Sequence, residues 1–368
     1  MKITIVQGAF LPVPAILGGA VEKIYDKLGQ EFVKMGHEVV HISRRHVSLK
    51  NVEITNGVQH IRIKGFSTPK SLAILKLYDL FYTRRTLSHI DSDIVISNTF
   101  WLPILFSSKG KGKLYVSVER RPQWQFKFYK KATKFRACSL MILEMLKVKL
   151  EKEDLKKLCY IPNPVPFDLK DFKTDKVNKI LFVGRLDQEK GLHILIDAFN
   201  SIPTSVAKEW ELTIVGPWEL AEGGAGVEYF ESLKKRGGNV NFIGPVYDQD
   251  QLSKYYYESK IFVYPIQDGT GDAGPVAPRE AMSYGCATIL SNHPCFDEYA
   301  VGETNCLRFN QSTDHQIEDL KEQMIRLISN PELINTIGES AKKVYEDFST
   351  IKIAQMFITD FEKELNEK

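Results

Sequence analysis

The sequence of 368 residues predicts an α/β protein built from two doubly wound parallel-sheet domains. Three observations carry that expectation. Short apolar runs alternate with longer helical patterns from end to end, as βαβ units do. The runs fall into two groups separated by residues 160–179. That seam holds Pro162, Pro164 and Pro166 and then the polar stretch DLKDFKTDKVNK, and such proline density disfavours helix. An eightfold α/β barrel is the architectural rival.

In the first group, strands are expected at residues 3–7, 38–42, 58–63, 93–97 and 114–118. After the first strand a loop reaches Gly18-Gly19, and an amphipathic helix follows over 20–35, closed by Gly36. In the second group, strands are expected at 180–183, 212–215, 240–243, 261–264 and 286–291, with helices at 192–199 and 249–258. From Asp314 onward the chain reads as helical with no further clear strand. The proposed division is residues 1–165, 166–348 and a final segment 349–368 that returns to the first domain.

Composition is that of an ordinary globular chain, with 43% hydrophobic and 26% charged residues. The five cysteines form no C-x-x-C pair, which argues against a disulfide scaffold or a structural zinc site and for a reducing compartment. No apolar run approaches the length of a membrane span, and the opening MKITIVQGAF does not read as a signal peptide. The net charge of +3 hides an asymmetry. Residues 1–150 carry 25 Lys and Arg against 10 Asp and Glu, a balance of +15, and the remainder carries −12. Such polarity points to a charged surface with a partner.

Three motifs carry chemistry. Gly18 and Gly19 precede a helix, so backbone N–H groups there attract an anion, although a plain tight turn explains them equally. The stretch FVGRLDQEKG ends a strand at Gly184 and places Arg185 and Lys190 just before a helix. Ligands of open parallel sheets sit beyond the carboxyl ends of the strands, and two cations there suit a diphosphate; solvated surface cations are the alternative. The third stretch, from Tyr264 to Glu280, is a glycine-rich loop followed by a helix beginning near Val276. Asp272 and Glu280 are candidates for binding sugar or ribose hydroxyls, while a first-turn helix-dipole partner is the bland account of Glu280.

Together the Gly-Gly pair, FVGRLDQEKG and D-x7-E in DAGPVAPREAM resemble the GT-B glycosyltransferases of family 4. The turn Ile161-Pro162-Asn163-Pro164-Val165, the segment Phe242-Ile243-Gly244 and Phe348-Ser349-Thr350 before a last helix are similar too, and the opening LPVPAILGGA resembles a spore-coat subgroup. The resemblance implies two Rossmann-like domains, with a last helix crossing back to the first. It implies retaining transfer of a sugar from a nucleoside diphosphate sugar, without a bound metal or cofactor. It assigns Arg185 and Lys190 to the diphosphate, Glu280 to the ribose and Asp272 to the donor sugar. Gly18, Gly19, Gly184, Gly216, Gly244, Gly274 and Val276 would line the donor site. The first domain would take a glycan or lipid-phosphate-linked acceptor of bacterial surface polysaccharide synthesis. The family's first acidic residue is usually Glu but is here Asp272, and Pro275 removes an N–H from the loop. The family's donor-site histidine has no counterpart: Glu119 or Arg120 stands in that neighbourhood and inherits no role. Two other classes stay open, a catalytically impaired homologue with a coat or scaffold role and a GT-B sugar-nucleotide epimerase.

Residues 109–136 hold ten Lys or Arg against Glu119 alone, with Trp124, Phe126, Phe128, Tyr129 and Phe135 interleaved. Cations with aromatics suit an anionic membrane surface or a lipid-phosphate acceptor, and Arg120, Arg121, Trp124, Lys127, Lys130 and Lys131 are the candidate contacts. A solvated face or acceptor-groove core competes, and no nucleic-acid motif accompanies the run. The expected location is cytoplasmic, peripheral on the inner face of the membrane; oligomeric state is unknown. The apolar helix over 71–87 reads as core, with a second membrane contact as the alternative. Asp91-Ser92-Asp93 has the spelling of a metal motif but precedes its strand, the wrong end for an active site. His37 and His41 flank a strand, too far apart to share a metal, and His293 reads as structural.

Overall fold

A computed structural model describes residues 1–69, 71–107, 112–267, 269, 273–312 and 314–367. The apolar runs form two sheets in two units, Met1–Pro166 with Phe348–Lys368, and Phe167–Asp347.

The first unit carries eight strands: β1 (Lys2–Val6), β2 (Glu38–Arg44), β3 (Val52–Thr55), β4 (Val58–Ile63), β5 (Ile94–Ser97), β6 (Lys113–Val118), β7 (Lys134–Ala137) and β8 (Leu158–Tyr160). Their order is β3-β4-β2-β1-β5-β6-β7-β8. All neighbours are parallel except the β3–β4 pair. β1 is central and its Ile3, Ile5 and Val6 are fully buried, as a strand covered on both faces requires. Helix α1 (Ala20–Lys34) lays Ile24, Tyr25, Leu28 and Phe32 on the core at helical spacing. It ends in a Schellman turn: Gly36, at φ 88°, donates its N–H to Val33 O and His37 donates to Phe32 O.

The last helix, Thr350–Asn366, belongs to this unit. Phe357 and Phe361 meet the Phe32 ring edge-on, with centroids 5.9 and 6.1 Å away. Tyr115 Oη donates to Asp360 Oδ2 at 2.7 Å, and Lys134 pairs with Glu364 at 2.7 Å.

The second unit holds β9 (Val177–Val183), β10 (Glu211–Val215), β11 (Val240–Gly244), β12 (Ser259–Tyr264), β13 (Ala287–Ser291) and β14 (Leu307–Phe309). They form an all-parallel sheet in the order β11-β10-β9-β12-β13-β14. The order reverses around β9, a doubly wound arrangement whose switch point lies between β9 and β12.

The sequence-based expectation missed β3, β7, β8 and β14. They are three or four residues long, too short for a periodic signal. The expectation that residues 71–87 are core is corrected. Helix α2 (Leu72–Thr86) forms, but it buries Asp79, Tyr82, Thr83 and Thr86 and exposes Leu72, Ile74, Leu77 and Phe81.

Candidate active site

The second unit gathers the predicted residues by its backbone. Beyond the carboxyl ends of β9, β10 and β11, Gly184 N donates to Val215 O at 3.0 Å and Gly216 N to Gly244 O at 2.9 Å. Gly216 has no room for a side chain, because a Cβ there would overlap the Gly184 carbonyl. The loop after β12 joins the same edge, where Gln267 N donates to Glu189 O at 2.9 Å. Four strand ends are thus laced together where an open parallel sheet binds its ligand.

Arg185 projects from this edge. Its Nη1 donates to Gly223 O at 2.8 Å, and its Nη2 lies 3.4 Å from Asp187 Oδ2. Lys190 is buried, and its ammonium stands 5.4 Å from the centre of the Tyr264 ring, a cation–π arrangement. Asp187 caps the short turn Gln188–Lys190 by accepting from Lys190 N. The two cations therefore differ: one is exposed and held by a carbonyl and a carboxylate, the other is sunk against an aromatic face.

Val276 caps the helix Ala277–Ser283, which places buried Glu280 in its first turn. Glu280 Oε2 accepts a 2.7 Å hydrogen bond from Tyr256 Oη. Burial, with the carboxylate beside it, drives the Tyr256 hydroxyl well above the ordinary phenol range, so Tyr256 is a permanent donor. Tyr256 was missed; its only sequence signal is the Tyr255-Tyr256-Tyr257 run on the helix Gln249–Glu258. Gly274 is half-buried before this helix, and Asp272 lies outside the described residues. His293 is buried, and its Nδ1 accepts from Cys295 N at 3.2 Å.

The first unit brings together a separate group. Gly18 and Gly19 adopt φ of 75° and 104°, conformations that favour glycine. A Cβ on Gly19 would overlap Glu22 Oε2, so the loop lies directly over that carboxyl. Burial raises Glu22 from 4.5 to about 7. Nearby in the fold, Glu119 accepts from Ser117 Oγ (2.7 Å), Arg136 Nη1 (2.5 Å) and Asn163 Nδ2 (2.8 Å). Tyr25 Oη donates to Ser117 Oγ at 2.6 Å. Glu22, Glu119 and Asn163 were not among the predicted site residues: Asn163 was read only as part of a turn, Glu119 was given no role, and Glu22 belongs to no motif.

The basic run resolves unevenly. Arg120, Trp124, Lys127 and Lys131 are exposed, and Arg121 is half-buried. Lys130 is exposed too and pairs with Glu151 at 2.6 Å and Asp154 at 3.3 Å, acids contributed from downstream. Arg136 is buried on Glu119. Asp93 Oδ2 accepts from Lys2 N at 2.7 Å. Among the described residues two triads bring potential metal ligands together, Asp26–His41–His60 and Glu151–Glu153–Asp154, and neither includes Asp91 or Asp93.

Residues 167–344 match the family described as glycosyl transferases group 1. The match covers nearly all of the second unit. The chain resembles an uncharacterized glycosyltransferase of Methanocaldococcus jannaschii, with 28% identity over 51% of this chain and 46% of that protein. It also resembles the lipopolysaccharide 1,2-N-acetylglucosaminetransferase of Salmonella typhimurium, with 26% identity over 48% of this chain and 46% of that protein. The chain thus spans about half the length of these two relatives. Among solved structures, Anabaena HepE in complex with UDP-glucose superposes with a TM-score of 0.75 at 16% identity, covering 99% of this chain and 100% of that one. The fold is GT-B. In the second unit, Arg185 and Lys190 stand at the laced strand ends, and Glu280 lies in the first turn of the helix that follows the loop after β12.

Proposed function

We propose that this chain is a retaining, metal-independent glycosyltransferase. It moves a sugar from a nucleoside diphosphate sugar to a glycan or lipid-phosphate-linked acceptor of bacterial surface polysaccharide synthesis. The observation that carries the reading is the edge of the second sheet, where two cations of different exposure share a laced glycine backbone with a buried, hydrogen-bonded carboxylate. Support for the donor class comes from the likeness to a protein solved with UDP-glucose. Support for the acceptor class comes from the likeness to a lipopolysaccharide transferase.

In this reading the C1–O bond to the diphosphate breaks while an acceptor hydroxyl attacks C1 from the same face. The acceptor proton passes to the departing phosphate oxygen. Arg185 exchanges its Gly223 and Asp187 contacts for phosphate oxygens, and Lys190 adds a fixed charge, so both oppose the charge that builds on the leaving group. Glu280 holds the ribose hydroxyls, and Asp272 meets the donor sugar. Gly19 lets the first unit's loop approach an anion. The first unit takes the acceptor at the inner face of the membrane, through Arg120, Lys127 and Lys131. No helix among the described residues is long and apolar enough to cross a membrane.

A thermal-shift screen against nucleoside diphosphates and their sugars tests the donor. Nucleotide release and product stereochemistry then test the transfer. Stabilisation by one diphosphate series, with the donor's anomeric configuration kept in the product, is expected. No nucleotide release from any sugar nucleotide would end the enzyme reading, and release without transfer would favour epimerisation or hydrolysis.

A further inference from the structure

The first unit buries a polar cluster that sugar transfer does not use. Helix α1 lies over the face of the first sheet that carries Ile5, Val39 and Val58, since a Cβ on Gly29 would meet all three at 3.5–3.6 Å. Side chains alternate along a strand. His41, two residues beyond Val39, and His60, two beyond Val58, therefore share that face. They are register partners on β2 and β4. Asp26 precedes Gly29 by about one turn of α1 and so projects on the same side of the helix. A carboxylate oxygen of Asp26 and a nitrogen of each ring all lie within 4.8 Å of one another.

The two rings are otherwise unexplained. His41 is fully buried and His60 is 2% exposed. Neither ring nitrogen of His41 has a hydrogen-bond partner among the described residues, and neither does His60 Nδ1. Buried polar atoms rarely lack partners. The neighbouring cation is engaged elsewhere. Arg62 Nη1 donates to Lys50 O and to Glu53 Oε1, both at 2.6 Å, and Arg62 Nε donates to Val13 O at 2.9 Å. Its charge is thereby matched by Glu53. Asp26 is half-buried, and Gln30, a turn further along α1, hydrogen-bonds its carboxyl.

We propose that Asp26, His41 and His60 bind a late first-row divalent cation, Zn²⁺ by preference, as a structural site of the first unit. Two imidazoles with one carboxylate form a nitrogen and oxygen donor set that suits zinc and its neighbours, whereas Mg²⁺ and Ca²⁺ favour oxygen alone. Bonds of about 2.1 Å place tetrahedral ligand atoms roughly 3.4 Å apart. The cluster therefore needs only a small contraction, and no hydrogen bond at His41 resists it. Asp26, the ligand not fully enclosed, gives the ion a way in. The cation ties α1, whose first turn carries Glu22 beneath Gly19, to β2 and β4. It uses none of the groups assigned to sugar transfer, so that reaction stays metal-independent.

Zinc titration of the full chain, untagged and first stripped with EDTA, against a chromophoric chelator tests it. One Zn²⁺ per chain is expected, with a rise in melting temperature that EDTA reverses. Co²⁺ is expected to give the visible spectrum of a site with nitrogen and oxygen ligands, and excess Mg²⁺ to displace neither ion. Asp26→Asn and His60→Gln are each expected to weaken zinc binding about ten-fold or more, since outer-shell partners alone are worth that much. His60 is enclosed, so Asp26→Asn decides if the histidine variant fails to fold. Glu153→Gln, in the triad Glu151–Glu153–Asp154, is expected to leave the affinity unchanged. Three results would overturn the proposal: no stoichiometric zinc, affinity unchanged in Asp26→Asn, or affinity lost in Glu153→Gln instead. Nucleoside diphosphate binding is expected to be equal with and without zinc. Its absence from both forms, with zinc bound as expected, would count against the transferase reading alone.

Discussion

The Tyr256 hydroxyl donates to Glu280 Oε2 across 2.7 Å, joining a helix of the second unit's surface layer to the carboxylate at its ligand edge. The bond is buried, and the hydroxyl keeps its proton. It fixes one carboxylate oxygen.

Tyr256→Phe therefore leaves Glu280 short of a donor in a buried setting. A loss of about 1–3 kcal/mol of stability is expected, read as a lower melting temperature. Nucleoside affinity is expected to fall as well, and saturating nucleotide should recover part of the lost melting temperature. Unchanged nucleoside affinity in calorimetry would separate Tyr256 from the ribose site.

Arg185→Ala and Lys190→Ala are expected to weaken binding of nucleoside diphosphates while sparing the parent nucleosides. A charge-assisted contact of about 1.5–3 kcal/mol corresponds to roughly ten-fold to hundred-fold in affinity. Because Arg185 is exposed and Lys190 buried, only Lys190→Ala should also lower the melting temperature. Equal losses for nucleoside and diphosphate, by calorimetry, would remove the phosphate role.

Glu22 makes the first unit sensitive to alkaline conditions. Its folded carboxyl titrates near 7, against 4.5 for the ordinary group, because burial favours the neutral form. The folded state thus holds the proton more tightly than the unfolded one. Its stabilising contribution is complete below pH 4.5 and fades as pH rises through 7, a difference of roughly 3 kcal/mol at most. Glu22→Gln is expected to melt higher than the unaltered chain at pH 8 and to converge with it below pH 5. Parallel melting curves across that range would show that Glu22 titrates as an exposed carboxyl.

His41 and His60 oppose this on the acid side. They face each other on β2 and β4, with ring centres 5.6 Å apart. Burial lowers His60 to about 4 and His41 well below its ordinary 6.5. Unfolded histidines take up protons as pH falls below 6.5 while the folded pair stays neutral, so stability drains from pH 6.5 toward 4. His60→Gln is expected to shallow that slope in denaturant titrations at pH 7 and pH 5. An unchanged slope would exclude His60 as its source.

Much of the fold was legible because both sheets are built from buried parallel strands, whose apolar runs stand out between helices. β7 was not, because its sequence KFRA shares the basic run and reads as surface; in the fold Arg136 is neutralised by Glu119 and Lys134 by Glu364. α2 misled in the opposite sense, since apolar residues read as core unless something else claims them. At the candidate site, Arg185, Lys190 and Glu280 announce themselves by spacing within motifs. Tyr256 does not, because its bond to Glu280 spans 24 residues and is made by tertiary packing. Glu22 hides for a similar reason: its altered titration comes from burial beneath Gly19, which no local pattern encodes.

The return of the last helix to the first unit carries a consequence for how the chain can be cut and rejoined. Val165 N donates to Phe348 O at 2.7 Å, and Thr350 Oγ1 donates to Val165 O at 2.8 Å. The chain leaves the first unit and re-enters it at neighbouring points, so residues 167–347 form one continuous insertion between two segments of that unit. Deleting the insertion and joining Pro166 to Phe348 through a few glycines would leave every strand of the first sheet and its closing helix in one polypeptide.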